Sequence, residues 1–236
     1  LITVQIVENE CSDNIAPVNL PLDIAYEDDD IIVINKPFDM PAHPSAGNHD
    51  NTLANALMYY YGSQNKPFVY RCINRLDRDT TGLTIVAKHA LAGGILGNAV
   101  AKRAIHRTYY AVCSGCTPAC MRISAPIARK DASTIERCVD FKRGENAVTD
   151  FIRIKYNPDN NLSLVKLRLL TGRTHQIRVH MKYIGFPLIG DFLYNPDYTY
   201  ISRQALHSGR LVFTHPVTGQ KMNLISDIPS DMKSLF

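Results

Sequence analysis

The sequence predicts an α+β fold, a mixed and largely antiparallel sheet with flanking helices, on two observations: strand-like segments outnumber helical ones, and some connections between strands read as hairpins. In chain order, Ile31 to Ile34 is a continuous apolar run with the length of a buried strand. It enters the loop KPFDMPAHPSAGN, which Pro37, Pro41 and Pro44 stiffen by fixing φ. Thr52 to Tyr60 carries Leu53, Ala56, Leu57 and Tyr60 at helical spacing, with Asn51 or Thr52 as the cap. Strands follow at Phe68 to Ile73 and Leu83 to Ala87, both rich in β-branched or aromatic residues. Ala90 to Arg103 reads as a helix despite three glycines, and Thr108 to Val112 as the next strand.

Cys113 to Gly144 contains short strand-like pieces with several breaks and no readable order. Val148 to Tyr156 and Leu162 to Leu170 alternate on either side of NPDNN, which makes them a hairpin of two longer strands. A helix is expected from Thr174 to Tyr183, with Ile177, Met181 and Ile184 as its apolar stripe. His175, Arg178 and Lys182 stand on it at spacings of three and four, a basic ridge. Leu206 to Phe213, the turn HPVTG and Met222 to Ile225 close the series.

Of the 236 residues, 45% are hydrophobic and 20% charged, which suits a chain able to bury a core and excludes disordered or fibrous classes. No run approaches the roughly 20 apolar residues that cross a bilayer, and LITVQIVENE lacks the basic start and cleavage site of a signal peptide. A cytoplasmic location is therefore expected. The expected organisation is a lead segment over 1–20, the remnant of a linker from a missing N-terminal module, followed by one catalytic domain over 21–236. Cys113, Cys116 and Cys120 resemble half of a zinc site, but no fourth ligand stands nearby, so reduced thiols and no metal are expected. The glycines around Gly94 lack the following GK[ST] of a phosphate loop.

The formal net charge of +4 is modest, but its distribution is uneven. Leu162 to Gly190 holds Lys166, Arg168, Arg173, Arg178 and Lys182 with no acid, a second basic group is Lys102, Arg103, His106 and Arg107, and acids gather at Glu27 to Asp30. Segregated positive charge suits a surface that neutralises phosphates, and a solvated basic face is the plainer alternative.

RLDRDTTGL, Arg75 to Leu83, places Asp77 and Asp79 among arginines on a loop between two strands. Neighbouring cations favour the charged form of a carboxylate, which leaves Asp77 available as nucleophile or base. The plainer reading is an Asp that caps its own turn. Asp77, Asp79 and His43 also suggest ligands for a divalent ion in a phosphodiesterase, but no third carboxylate follows and the arginines would repel a cation. A noncatalytic RNA-binding module would account for the basic ridge and leave Asp77 without a reason.

Taken together, YEDDDIIVINKPFDMPAHPS, RLDRDTTGLTIVAK, HRTYYAVCSG, LLTGRTHQIRVHMKYIGFPLIGD and LHSGRLVFTHPVTG resemble, in this order, the RluA/RluD-type family of RNA pseudouridine synthases, from about Ile24 to Ile228. One departure is Asn74, where the family usually carries His. The resemblance implies the catalytic fold of that family and an isomerisation in which the glycosidic bond of uridine in RNA is broken, the uracil rotated, and a carbon to carbon bond formed, with no cofactor. It implies that Asp77 is the catalytic carboxylate, that Arg173 pairs with it through a planar fork, and that Tyr109 stacks on the uracil; a phosphate contact is the alternative for Arg173. It further implies that His43 lies near the substrate, a loop histidine with no catalytic duty being the alternative, and that Leu206 and His207 have at most a part in lining the pocket; Arg75 is expected among the RNA-binding residues. Lys102, Arg103, Arg107, His175, Arg178 and Lys182 are expected to meet phosphates, whose attraction offsets the cost of extruding a stacked uridine. Large-subunit ribosomal RNA is the first choice of substrate, tRNA the second, and monomer the expected state.

Overall fold

The computed structural model describes residues 8, 10–45, 47–130 and 135–236. Most of the 1–20 lead falls inside that range, while residues 1–7 and 9 lie outside the described residues. In chain order the described elements are β1 (Ile24–Glu27), β2 (Ile31–Lys36), α1 (Leu53–Gly62), β3 (Arg71–Cys72), β4 (Thr81–Ala87), α2 (Ala90–Ala101), β5 (His106–Ser114) and β6 (Cys120–Ser124). They continue with β7 (Ile127–Arg129), β8 (Arg137–Val139), β9 (Val148–Asn157), β10 (Leu162–Leu169), α3 (Gln176–Tyr183), β11 (Leu206–Thr214), β12 (Lys221–Ile225) and α4 (Ser230–Lys233). They fall into two compact units, Leu1–Ile105 with Val212–Ser226, and His106–Leu211 with Asp227–Phe236. Every pairing among them that joins two named strands within one unit is antiparallel, as expected of this α+β chain. None of the helices described is long and apolar enough to cross a membrane.

In the first unit β2 pairs with β1 on one side and β4 on the other, and β3 adds to β4. Ile31 to Ile34 and all of β4 are buried, which explains why both read as unbroken apolar runs. Their core includes Ile32, Ile34, Leu53, Leu57, Tyr61, Phe68 and Val86, with Ile15 and Leu20 of the lead, and Leu22 just after it, packed against it. Thr52 caps α1 in a capping box with Asn55, whose amide donates to the carbonyls of Ala16 (2.7 Å) and His49 (3.0 Å). The lead is thus tied to this unit by backbone bonds, Val18 N to Asn55 O (3.1 Å) among them. Of the strand expected over Phe68 to Ile73 only Arg71–Cys72 pairs in a sheet. Gly93 admits the Arg71 side chain, because a Cβ there would meet Arg71 Cδ at 3.1 Å.

Within the acidic run Glu27 to Asp30, Asp28 has a structural part. Asp28 accepts from Tyr26 Oη (2.6 Å), from His215 Nε2 (2.8 Å) and from the backbone N–H groups of Asp30 and Ile31 (2.9 Å each), which closes the turn between β1 and β2. Burial works against ionisation of Asp28, yet these donors hold its pKa below the ordinary carboxylate value.

In the second unit β5, β10, β9 and β6 pair in that order, and β7 and β8 form a separate hairpin-like pair. The hairpin of β9 and β10 turns through 157–161 as expected, with a register shift at Leu164/Val165. α3 lies against this sheet: Gln176 Nε2 donates to Val148 O and Thr149 Oγ1, each at 3.0 Å. A second core gathers Val112, Leu162, Ile189, Ala205 and Met232, the last supplied by α4, which the sequence did not announce.

Candidate active site

The Asp77 loop is built on buried polar anchors. Asn74, 3% exposed, accepts from the N–H of Ile85 (2.8 Å) and donates to Leu83 O (3.2 Å), while Thr84 Oγ1 donates to its carbonyl (2.6 Å). One amide therefore bonds both ways to β4, work that suits Asn because it carries donor and acceptor on one rigid group. Further along, Arg78 O accepts from Lys36 Nζ (2.8 Å) and Met40 N (3.2 Å), and Thr80 N donates to Asp77 O (3.1 Å). Lys36, 1% exposed, also donates to Pro37 O (2.7 Å), so a buried ammonium joins the proline loop to the Asp77 loop. Leu76 is buried and Asp77 half-buried between these anchors.

The cations of this loop are arranged unequally. Arg78 forms a fork on Asp79 (3.1 Å for both bonds) and comes within 3.7 Å of Asp39. Arg75 is exposed. His43 stands edge-on to Tyr70 with ring centroids 4.9 Å apart, and its pKa is lowered first by burial and then by the charge of Arg75. Thus His43, Arg75 and the Asp77 loop belong to one region of the first unit. Lys102 and Arg103 are exposed at the C-terminal end of α2, where positive charge also suits the helix dipole.

In the second unit Tyr109 is buried on the face of β5 that carries Ala111, opposite Leu167 of β10. Tyr110 takes the other face, as alternation requires, and its ring lies so close to Gly209 that a Cβ there would meet it at 2.7 Å. Arg107 shares the Tyr109 face, and a Cβ on Gly172 would lie 3.4 Å from its Nη2. Arg107 and the Arg173 loop are therefore neighbours.

Gln176 organises the Arg173 loop. Its Oε1 accepts from Arg173 N (2.9 Å) and Thr171 Oγ1 (2.8 Å), in addition to the two bonds its amide gives to β9. The Arg173 guanidinium forms an ion pair with Glu145 and donates from Nε to Asn146 O (3.1 Å). Both members of this pair are exposed, Arg173 by 38% and Glu145 by 68% of their side chains.

The expected basic ridge is not what α3 presents. The helix begins at Gln176, and His175 precedes it with φ 55°, a left-handed conformation that cannot continue a helix backwards. Arg178 faces inward, 2% exposed, in a fork on the fully buried Asp191 (2.7 and 2.8 Å). It is a core residue of this unit, and its charge is matched inside the protein. Lys182 alone of the three is an exposed cation on the helix. Leu206 and His207 are buried at the start of β11.

The three clustered cysteines do not converge as ligands: Cys113 is buried and its thiol pKa pushed up by burial, while Cys116 accepts from Arg153 Nη1 at 2.7 Å and Cys120 is exposed. Among the described residues Asp28, Asp30 and His215 are close enough to share an ion. The donor set does not fit one. His215 Nδ1 accepts from the N–H groups of Val217 (3.3 Å) and Thr218 (3.1 Å), so Nε2 carries the proton it gives to Asp28. Lys36, Gln176 and Glu145 escaped the sequence reading, and Asn74 entered it only as a departure from the family pattern, since nothing local distinguishes a loop-anchoring side chain from an ordinary polar residue.

A profile described as RNA pseudouridylate synthase matches residues 30–183. Among curated relatives, RNA pseudouridine synthase YjbO of Bacillus subtilis, itself labelled uncharacterized, is 41% identical over 238 residues, covering 100% of this chain and 83% of that one. The ribosomal large subunit pseudouridine synthase D of Haemophilus influenzae is 41% identical over 245 residues, covering 98% and 75%. Among solved structures, human RNA pseudouridylate synthase domain containing 1 superimposes with a TM-score of 0.74 at 26% identity, covering 88% of this chain and 83% of that one. With two thirds or more of such relatives matched along their length, the chain belongs to the RNA pseudouridine synthases of RluA/RluD type and is an isomerase acting on RNA.

Proposed function

We propose that the chain isomerises uridine in large-subunit ribosomal RNA, with Asp77 as the catalytic carboxylate. The observation that carries the assignment is the mounting of Asp77: a half-buried acid on a loop whose backbone is fixed to β4 by Asn74 and Thr84 and to the proline loop by Lys36. A loop so anchored holds its carboxylate in place before substrate arrives, which is where positional catalysis gains most. A carboxylate is also both nucleophile and leaving group, so it divides the cleavage of the glycosidic bond and the new bond to carbon into two easier steps.

Tyr109 is assigned to stacking on the uracil, and Arg173 to keeping the carboxylate charged and oriented in the working complex. Arg75, His43, Arg107, His175 and Leu206 are assigned to the surroundings of the substrate, Lys102, Arg103 and Lys182 to phosphates. The choice of ribosomal RNA follows the names of relatives such as the Haemophilus influenzae synthase. The protein is proposed to act as a monomer and without a cofactor.

Asp77→Asn keeps the size of the side chain and removes its charge. Pseudouridine formation is expected to fall by roughly 10⁴-fold or more, with RNA affinity within a few fold of wild type. Retained turnover would overturn the assignment of Asp77. Mapping pseudouridines in RNA from cells with and without the protein tests the substrate: a site lost from large-subunit ribosomal RNA supports it, and a site lost only from tRNA replaces it.

A further inference from the structure

The second unit holds a cavity of about 390 Å³ between the pair β7 and β8 and the helix α3. Its lining combines two kinds of group. Lys130, Arg137 and Lys182 supply three positive charges, and Lys130 is bound to both oxygens of the single carboxylate, Glu136 (3.0 and 2.9 Å), so the lining carries a net of two. Val139, Val179 and the ring of Tyr194 supply an apolar floor, and Tyr183 stands in the wall.

Tyr194 is held rigidly. Its Oη accepts from the N–H of Arg137 and lies 2.9 Å from both that nitrogen and His175 Nδ1, while Arg178 stacks against the ring 5.0 Å from its centroid. Lys182 Nζ comes within 5.6 Å of the same ring. At the rim, Tyr183 and Phe141 form a pair with centroids 6.5 Å apart, and they are 53% and 69% exposed. Large aromatic residues left in solvent next to three cations make a surface with both a stacking plane and a phosphate attraction.

An apolar ligand would gain nothing from the cations, and a simple anion nothing from the rings. A nucleotide uses both, since every base has a flat face and every linkage a phosphate. The volume is of the size that takes one small molecule, so it admits a single unstacked nucleotide and no duplex. We infer that this cavity is an auxiliary subsite for one unstacked nucleotide of the substrate RNA, its base against Tyr183 and its phosphate among Lys182, Arg137 and Lys130. The inference rests on RNA as substrate, and its lining includes none of Asp77, Tyr109 and Arg173.

Fluorescence anisotropy of the full chain with a fluorescein-labelled decauridylate tests it. Tyr183→Ala and Lys182→Glu, both at exposed positions, are each expected to weaken binding about five- to tenfold. Lys182→Glu should also lower the slope of log affinity against log salt by about one. Binding of an RNA duplex of the same length should stay within twofold for Tyr183→Ala, and Lys66→Glu, an exposed charge change in the first unit, should alter neither probe. Unchanged decauridylate binding in both cavity variants overturns the subsite, as does equal weakening of the duplex by Tyr183→Ala. Displacement of the probe by micromolar uridine 5′-monophosphate would assign the cavity to a free nucleotide and overturn the RNA assignment. Assays of pseudouridine separate this test from that of the proposed reaction. If wild type forms none while the variants still lose decauridylate, the proposed reaction falls and the subsite stands; if turnover is normal and the variants bind as wild type does, the reverse holds.

Discussion

Buried side chains anchor both loops: in the first unit Asn74 bonds the backbone of β4 and Lys36 the carbonyl of Arg78, in the second Gln176 accepts from Arg173 N and from Thr171 Oγ1, and each loop leaves a charged residue at its tip. The tips differ. Asp77 is half-buried on a loop tied to strand β4, so moving it would strip bonds from groups that water cannot reach. The Arg173 guanidinium is exposed and paired with an exposed Glu145, an interaction that contributes about 0–1 kcal/mol in such settings. One loop thus fixes its charge while the other holds it on a contact that is readily exchanged.

Replacing the guanidinium gives the largest effect on this comparison. Arg173→Lys is expected to slow single-turnover pseudouridine formation on the order of a hundredfold, because an ammonium lacks the planar fork. Its unfolding free energy should move by less than about 1 kcal/mol, since the pair with Glu145 is exposed. A normal rate would show that the fork is not needed, and a large loss of stability would show that the tip is not exchangeable.

Asn74→Ala probes the other side. It leaves the N–H of Ile85 and the carbonyl of Leu83 without the bonds Asn74 supplies, and urea unfolding should show a loss of about 2 kcal/mol together with a slower reaction. Stability within 0.5 kcal/mol of wild type would mean that the Asp77 loop is not anchored as described.

The smallest effect concerns pH and the second unit's packing beneath α3. His180 is fully buried, with Nδ1 2.9 Å from Thr149 Oγ1 and Nε2 2.9 Å from Ala125 O. Burial lowers its pKa, and the bond to the Ala125 carbonyl offsets this only in part. The unfolded chain therefore takes up a proton before the folded one, so stability contributed by neutral His180 is full above pH 6.5 and declines as pH falls through the lowered folded value. Unfolding measured across that range should become less pH-dependent in His180→Gln; an unaltered slope would show that His180 does not contribute.

Much of this arrangement was legible beforehand for local reasons. Ile31 to Ile34 and Leu83 to Ala87 read as buried strands because both their faces are covered, and 157–161 read as a turn because Asn, Pro and Asp cluster there. Asn51 and Thr52 both had the capping chemistry that announced α1, and Thr52 takes the position. By contrast, Phe68 to Ile73 has strand composition and yields only two paired residues, and Ile24–Glu27 pairs as β1 although its own composition does not announce a strand. Pairing depends on a neighbouring edge, and an edge is supplied by residues far along the chain.

By itself the sequence determined the helical and strand periodicities, the placing of Asp77 on a loop between strands and the ordered motifs that mark the RluA/RluD type, because each depends on neighbours within a few positions. Only the tertiary structure decided that Arg178 is buried on Asp191, that His175 stands outside α3 in a left-handed turn, and that Lys36 is enclosed with the carbonyls of Pro37 and Arg78. Spacing of three and four residues says which side chains share a helix face. Whether that face meets water or a carboxylate is settled by a partner 13 residues away in the case of Arg178, and no local pattern carries that information.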